Sequence, residues 1–198
     1  MCFPKLHFAT FTGKAVNPVA PTVDMICLED IATALSNNCR WGGHTEVPYS
    51  IAQHSVMVMA ALEIFLGKDC TDEMRRQALI HDASEAYMCD IPAPLKQQMP
   101  EYEQIEEGLQ KVIAERFGLL YPWHQYVHAA DKASMVVLEA PICGKERDWF
   151  SYYDETEPYK SWIKALEQRT LPMLVDKVWT APVAKSVFLE AAKHLKLS

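Results

Sequence analysis

Glycine is scarce in this chain: it accounts for only 7 of the 198 residues, and long stretches contain no residue that breaks a helix. All-β sandwiches and barrels need many turns, so this scarcity argues against them and favours helices. Hydrophobic residues make up 49% and charged residues 23%, an ordinary balance for a globular protein. We find no repeat, low-complexity tract or linker, and expect one all-α domain over residues 1–198, with residues 1–24 as an irregular or hairpin N-terminal arm.

Positive charge is also in short supply. The formal net charge is −7, and the basic residues are scattered rather than gathered in a stripe. Proteins that bind a nucleic-acid polymer usually carry such a stripe, so we expect no polymer partner. An acidic protein that handles an anion must concentrate positive charge locally, through a few lysine or arginine side chains or through a metal ion.

Paired cysteines and long apolar runs are missing as well. The 6 cysteines form no C-x-x-C pair, which argues against a zinc knuckle or redox motif and favours reduced, buried thiols. Residues 1–14 lack the apolar core of a signal sequence, and no apolar run approaches membrane-spanning length. We therefore expect a cytoplasmic protein without a membrane partner.

Apolar periodicity and capping residues predict the helices. Ser50 and Gln53 form an S-x-x-Q capping box at the start of a core helix, and Thr71 caps the next helix. Residues 39–48 are predicted to form a loop whose Gly42–Gly43 pair allows close approach of the backbone to a partner. We predict a short strand at Phe8–Thr12 and helices over Leu28–Asn37, from Ser50 with an apolar stripe that reaches Phe65, over 71–88, Glu101–Phe117, Trp123–Glu139, part of Ser151–Thr170, and from Thr180 toward the C-terminus.

Ligand-type residues lie where the pattern predicts core. His54 falls in the apolar stripe of the Ser50 helix; His81, Asp82 and Glu85 share one face of the next helix; Asp131 lies on a third. Burying such groups together is costly unless they pair or bind a cation. Two imidazoles and two carboxylates suit a divalent ion such as Zn, Co, Mn or Fe, with Mg as a further candidate.

We therefore predict a metal site formed by His54, His81, Asp82 and Asp131, with Glu85 one turn away for proton transfer. Each residue taken singly has a structural alternative. A core histidine can serve packing alone, and Asp131 can form a salt bridge with Lys132. The conjunction on three separate helices favours the metal site.

The order H…HD…D of these ligands resembles the signature of the HD-domain phosphohydrolase superfamily. R-W at 40–41, H-D-A-S-E-A-Y at 81–87 and D-I-P-A-P-L-K at 90–96 resemble the branch that contains bacterial deoxynucleoside 5'-monophosphatases. These segments, with E-D-I-A-T-A-L-S-N-N-C-R-W-G-G-H at 29–44, also resemble phage dATP triphosphohydrolases. The resemblance covers most of residues 5–140 and implies an HD-domain helical bundle that assembles as a homo-oligomer.

The resemblance also implies roles for residues around the metal. Arg40 would bind substrate phosphate, while Trp41, with Gly42 beside it, would pack against the deoxyribose and exclude a 2'-hydroxyl. Glu85 would be the catalytic acid or base, and Asp90 would lie near the leaving 5'-oxygen. Lys96 would hold the distal phosphates; structurally, it could equally be a solvated charge.

The reaction implied is hydrolysis of a 2'-deoxynucleotide at its α-phosphorus. For dATP the products would be deoxyadenosine and triphosphate, which would deplete dATP in the host cytoplasm if the protein is phage-encoded. A deoxynucleoside 5'-monophosphatase of broad base range is one alternative. A non-catalytic nucleotide-binding module is another, although a pure binder would not need the Glu85 carboxylate.

Overall fold

A two-stranded hairpin followed by helices makes up the described chain. The computed structural model describes residues 6–145, 147–168 and 177–197. In this part of the chain the strands pair antiparallel near the N-terminus, with Phe8 opposite Val16. The predicted all-α class with a hairpin arm is therefore confirmed. Residues 1–5 of the predicted arm, and residues 169–170 of the predicted helical region, lie outside the described residues.

The regular elements agree closely with several predicted boundaries. Short 3₁₀ turns at Val23–Met25, Arg40–Gly43, Gly67–Asp69 and Arg147–Phe150 connect them, and a π-helical turn occupies Met135–Glu139. The elements are β1 (Phe8–Ala9), β2 (Ala15–Val16), α1 (Leu28–Asn37), α2 (Ile51–Leu66), α3 (Asp72–Ile80), α4 (Glu85–Met88), α5 (Ala93–Lys96), α6 (Pro100–Phe117), α7 (Gln125–Ser134), α8 (Ala140–Ile142), α9 (Ser151–Glu155), α10 (Tyr159–Glu167) and α11 (Ala181–His194).

Helix α2 lies at the centre of the fold, in contact with α1, α3, α7, α10 and α11. It separates two apolar clusters. On one side Ile51 and Val56 pack with residues of α1, α6 and α11. On the other side Met57 and Leu62 pack with residues of α7 and α10. Because α2 is buried on nearly all sides along its first three turns, a polar side chain there must find a partner inside the protein.

The expectation that no apolar run reaches membrane-spanning length is wrong. Among the described residues, Ile51–Asp69 is long and apolar enough to cross a membrane, but 61% of its apolar window is buried inside the protein. A core helix passes the same test, so length and composition alone do not indicate a membrane span.

The predicted helix caps at Ser50 and Thr71 are confirmed. Each side chain accepts a hydrogen bond from a backbone N–H in the first turn of its helix. The reciprocal half of the Ser50 capping box does not form, because Gln53 is used elsewhere. Its Nε2 donates to the carbonyl of Lys177 at 3.1 Å, and its Oε1 accepts from the N–H of Trp179 at 2.9 Å. Gln53 thus fastens the segment that leads into α11 onto α2.

The single helix predicted over residues 71–88 is wrong. It is interrupted after α3 by tight turns at 81–84, closed by the N–H of Ala83 to the carbonyl of Ile80 at 2.8 Å. His81 Nδ1 lies 2.8 Å from the carbonyl of Ala78, which a continuous helix would have paired with the N–H of Asp82. The ring thereby competes with the helical bond and lets the chain wind more tightly.

Three further departures concern other predicted elements. The segment after Pro92, predicted as a loop, forms the short helix α5. The predicted helix over Trp123–Glu139 begins at Gln125 and ends in the π-helical turn. Helices α9 and α10 occupy the region where one helix was predicted.

Candidate metal centre

The predicted ligand atoms converge from α2, the turn after α3, and α7. His54 Nε2 lies 3.3 Å from His81 Nε2, 3.2 Å from Asp82 Oδ2 and 3.3 Å from Asp131 Oδ1. His81 Nε2 also lies 3.3 Å from Asp82 Oδ2. The ligand atoms of His54, His81 and Asp131 are all within 4.8 Å of one another, so this buried group could hold a metal ion.

The spacing of these atoms fits a small divalent ion. A metal bound to imidazole nitrogen or carboxylate oxygen at about 2.0–2.2 Å places neighbouring ligand atoms of a tetrahedral site about 3.4 Å apart. The separations from His54 Nε2 to the other three atoms, 3.2 to 3.3 Å, are close to that value. Asp82 Oδ2 lies beside the two histidines of this group, although the three atoms that are mutually within 4.8 Å belong to His54, His81 and Asp131.

Both imidazoles turn their Nε2 atoms toward the centre of the cluster. The other ring nitrogen faces an oxygen acceptor: His54 Nδ1 lies 2.6 Å from Glu139 Oε1, and His81 Nδ1 lies 2.8 Å from the carbonyl of Ala78. An acceptor at Nδ1 keeps the proton there and leaves Nε2 with a lone pair in the neutral ring. Two lone pairs and two carboxylate oxygens repel one another unless a cation lies among them, so this donor set fits a divalent ion.

The electrostatics of the cluster also call for positive charge. Although burial and Arg40 oppose the shift, Glu139 and the other nearby carboxylates raise the pKa of His54 well above its ordinary value. Burial alone would raise the pKa of Asp82. The positive charge and hydrogen bond of His81, together with those of His54, outweigh burial and hold this pKa well below its usual range. The carboxylates at the centre are therefore ionised. A proton on His54 balances part of their negative charge, and a bound metal ion would replace that proton.

A cavity of about 530 Å³ opens beside the cluster. A larger cavity of about 900 Å³ lies between the end of α1 and the segment before α11, and none of the predicted site residues lines it. The smaller cavity is therefore the one that the predicted chemistry can serve. The predicted residues on its walls are Arg40, Trp41, Asp82, Glu85, Asp90, Lys96 and Asp131.

The loop between α1 and α2 bends through three left-handed residues. Trp41 has a φ of 53°, Gly42 of 59° and Gly43 of 79°. Within the protein nothing approaches the glycine pair closely, since a Cβ at Gly43 would meet nothing within 4 Å and one at Gly42 only a ring carbon of His44 at 3.8 Å; close approach of a bound partner stays a prediction. The glycines serve the turn itself, while Trp41 adopts a strained conformation that is rare for a residue with a Cβ and lines the cavity.

Arg40 lies between the ligand cluster and the cavity, with 12% of its side chain exposed. Its Nη1 is 3.5 Å from Asp82 Oδ2, its Nη2 is 4.0 Å from Asp131 Oδ1, and its Nε is 3.3 Å from Glu139 Oε2. Although burial opposes it, these carboxylates raise the pKa of Arg40 above its ordinary value. The guanidinium is therefore a permanent positive charge beside the metal ligands.

Glu85 and Asp90 are carboxyl groups with a tendency to hold a proton. Burial, followed by repulsion from Asp82 and Asp90, raises the pKa of Glu85 well above its ordinary value. Burial likewise raises the pKa of Asp90, with Asp82 adding to the shift and Arg40 opposing it. Glu85 Oε2 is buried and has no hydrogen-bond partner among the described residues. A carboxyl of this kind on a cavity wall can exchange a proton with a bound molecule near neutral pH.

Lys96 reaches the cavity wall but forms an ion pair with Glu106 on α6. Two other cations line the same walls: Lys132, which the sequence analysis considered only as a partner of Asp131, and Lys145, which it missed. Lys132 Nζ lies 2.8 Å from Asp131 Oδ2, which is the salt bridge considered as the alternative for that aspartate. Asp131 thus pairs with Lys132 through Oδ2 while its Oδ1 faces His54.

Sequence reasoning also missed Glu139, which is fully buried and contacts both His54 and Arg40. The signal that could have found it is a single carboxylate inside the apolar run M-V-V-L-E-A-P-I-C at 135–143. A charge at such a position is buried only with a partner.

Comparison with known proteins finds relatives without a described activity. No protein-family model matches the chain. It is 43% identical to the uncharacterized protein YfdR of Escherichia coli over 110 residues, which span 56% of this chain and 57% of YfdR. It is 31% identical to the uncharacterized protein RCAP_rcc00048 of Rhodobacter capsulatus over 142 residues, which span 67% of this chain and 71% of that protein. On the extent of this second match, the chain belongs to the same protein family as RCAP_rcc00048.

Proposed function

We propose that the protein is a divalent-metal-dependent phosphohydrolase of the HD-domain type that acts at the α-phosphorus of a 2'-deoxynucleotide. The observation that carries the proposal is the convergence of His54 Nε2 with His81 Nε2, Asp82 Oδ2 and Asp131 Oδ1 at 3.2 to 3.3 Å. This donor set lies beside a cavity that also holds a buried guanidinium. Phosphoryl transfer requires concentrated positive charge of this kind.

The metal proposed here is Zn, Co or Mn, with Mg as a further candidate, because imidazole and carboxylate ligands accept all of them. Such an ion lowers the pKa of water and offsets charge on the phosphoryl oxygens. Arg40 binds the phosphate through its planar fork of N–H donors. Trp41 provides the apolar wall for the sugar.

Proton transfer falls to the two carboxyl groups with raised pKa values. In its ionised form Glu85 takes the proton from the attacking water, while Asp90 in its protonated form lies on the same cavity wall and donates a proton to the leaving 5'-oxygen. In the balanced reaction, a water oxygen bonds to the α-phosphorus, the bond from phosphorus to the 5'-oxygen breaks, and that oxygen takes up a proton. The intact Glu85 favours this reaction over a non-catalytic binding module.

The substrate that we propose is dATP, which would give deoxyadenosine and triphosphate; this choice rests on the resemblance of residues 29–44 and 81–96. One observation favours the alternative, a deoxynucleoside 5'-monophosphatase. Lys96, the residue expected to hold distal phosphates, already forms an ion pair with Glu106. A monophosphate would leave that pair undisturbed.

Purified protein incubated with each dNTP, dNMP and NTP, under Zn, Co, Mn or Mg, separates these substrates, with metal content measured on the same sample. We expect deoxyadenosine and triphosphate from dATP and little turnover of ATP. Release from monophosphates alone would replace dATP with the alternative substrate. No turnover of any nucleotide by protein loaded with metal would overturn the proposal. Lys96→Ala gives a matched test, because it should raise KM for dATP and leave KM for dAMP unchanged.

A further inference from the structure

Glu139 is the charged residue of the centre to which the proposed function gives no task. It is fully buried, at 0% exposure, and it ends the π-helical turn Met135–Glu139. A buried carboxylate is costly unless each oxygen has a partner. π-helical turns are unusual and occur often at functional sites. The buried carboxylate and its place in a π-helical turn both indicate that Glu139 has a specific role.

The two oxygens of Glu139 contact two different parts of the centre. Oε1 lies 2.6 Å from Nδ1 of the metal ligand His54 and accepts a hydrogen bond from Ser134 Oγ at 3.0 Å. Oε2 faces Nε of Arg40 at 3.3 Å. One rigid carboxylate therefore sets the distance between a metal ligand on α2 and the guanidinium on the loop before α2.

The π-helical turn explains how Glu139 reaches this position. Hydrogen bonds in a π-helix join residues five apart, and Ser134 and Glu139 have this spacing, with their side chains bonded to each other. In a regular α-helix residues five apart diverge around the axis. The wider turn thus brings the carboxylate of Glu139 and the hydroxyl of Ser134 to one side, where they meet His54.

The contact with Arg40 also settles which way the guanidinium faces. Glu139 Oε2 attracts the guanidinium from its Nε side at 3.3 Å as an ion pair without hydrogen-bond geometry, and the terminal nitrogens Nη1 and Nη2 lie on the side of Asp82 and Asp131. That side borders the cavity. A phosphate next to the metal ligands would meet two N–H groups in a fixed fork, which is the arrangement that recognises phosphate best.

We propose that Glu139 is a positioning residue that fixes the His54 ring for metal binding and, through its second oxygen, aims Arg40 at the phosphate. The proposal rests on the metal site of the proposed function. It assigns Glu139 no contact with the substrate. Loss of its charge should therefore weaken metal binding and raise KM together, since residues that orient metal ligands typically contribute about 10–100-fold to metal affinity.

The test compares Glu139→Gln with wild type and with Asp30→Asn. Asp30 is a matched control: it is also a buried carboxylate, 3% exposed, and it accepts hydrogen bonds from Thr10 and Thr12 of the N-terminal hairpin. Calorimetric titration of the metal-free proteins with Co gives the affinity, and the visible absorption of bound Co reports the ligand geometry. Turnover with the best substrate of the panel gives kcat and KM.

We expect Glu139→Gln to bind Co about 10–100-fold more weakly, with an altered absorption spectrum and a raised KM. Asp30→Asn should lower the melting temperature and keep the wild-type affinity and spectrum. Wild-type affinity and spectrum in Glu139→Gln would overturn the proposal. An equal loss of affinity in Asp30→Asn would also overturn it, because the effect would then reflect general destabilisation.

Two further results keep the outcomes distinct. Should Glu139→Gln not fold, Ser134→Ala preserves every charge and removes the hydroxyl that lies 3.0 Å from both Glu139 Oε1 and the carbonyl of Asp131. Because one hydroxyl proton serves both acceptors, we expect Co binding to weaken by up to about tenfold, the net value of one hydrogen bond. Unchanged affinity in that variant would count against the role of Glu139. A wild-type protein that binds no Co would refute the metal site itself, and with it the proposed function.

Discussion

Adding a divalent ion to the metal-free protein should stabilise the fold, because the ligand atoms meet only in the folded chain. His54 Nε2 has three other ligand atoms within 3.3 Å, whereas the unfolded chain separates them by long stretches of sequence. An ion that binds only the folded state at about a hundredfold excess over its Kd contributes about 2.7 kcal/mol. For a chain of 198 residues, each kcal/mol raises Tm by about 2–4 °C, so we expect a rise of about 5–11 °C.

The rise in Tm should become larger as the pH increases. Despite burial and Arg40, the carboxylates around His54 raise its pKa well above the ordinary value, so the metal-free protein carries a proton there. The stability from that proton is fully present below the unfolded pKa of about 6.5 and is lost as the pH rises through the higher folded value. The ion must displace this proton to bind His54. At higher pH the proton competes less with the ion, so the ion stabilises the folded protein more.

Scanning calorimetry with the ion, and again after chelator, measures the effect over a pH series. His81→Ala removes one ligand and should abolish most of the rise. His194→Ala is the control, because this exposed histidine on α11 pairs with Glu190 and lies outside the cluster. The reasoning fails if wild type shows no rise at a hundredfold excess of ion, or if His81→Ala keeps the full rise.

Three other substitutions test separate parts of the structure. Glu85→Gln should keep the ion-induced rise in Tm and lower kcat about 10²–10⁴-fold, the usual contribution of a general acid or base; retained turnover would make Glu85 a structural residue. Trp162→Ala should cost about 3–5 kcal/mol in urea denaturation, because Trp162 is 1% exposed and stacks on Phe65 at 3.8 Å; a loss below about 1 kcal/mol would contradict this packing. Ser50→Ala should cost about 1 kcal/mol by the same measurement, through loss of the α2 cap, and an unchanged stability would show that water replaces the hydroxyl.

The buried group of His54, His81 and Asp131 that could hold a metal ion was predictable from sequence, because His54 and Asp131 follow local helical patterns. His54 falls within the apolar face of a helix with a clear start signal, and Asp131 lies on another helix of regular period. Regular periodicity specifies which side chains turn inward, so it also identifies the polar residues that turn inward with them. The cluster follows once three such helices pack together.

The remainder of the centre depends on departures from regular structure. Glu139 was missed because a π-helical turn changes which residues lie on the same face of the helix. The spacing of apolar residues at 3.6 per turn does not reveal such a change. The break after α3 arises from a ring-to-carbonyl hydrogen bond of His81 that competes with the helix. The ion pair of Lys96 was not foreseen, and only phosphate binding or a solvated charge was considered, because its partner Glu106 comes from another helix that only the folded chain brings near.

Gln53 binds the segment before α11 next to His54, so the candidate metal centre depends on a distant part of the chain. Gln53 is fully buried and directly precedes His54, and its partners are backbone groups of Lys177 and Trp179. Among the described residues, nothing beyond Tyr153 lines the cavity. A protein shortened after residue 168 would nonetheless leave a buried donor and a buried acceptor unsatisfied beside a ligand, at about 1–3 kcal/mol each. The proposed activity would thus depend on Lys177 and Trp179, which do not line the 530 Å³ cavity.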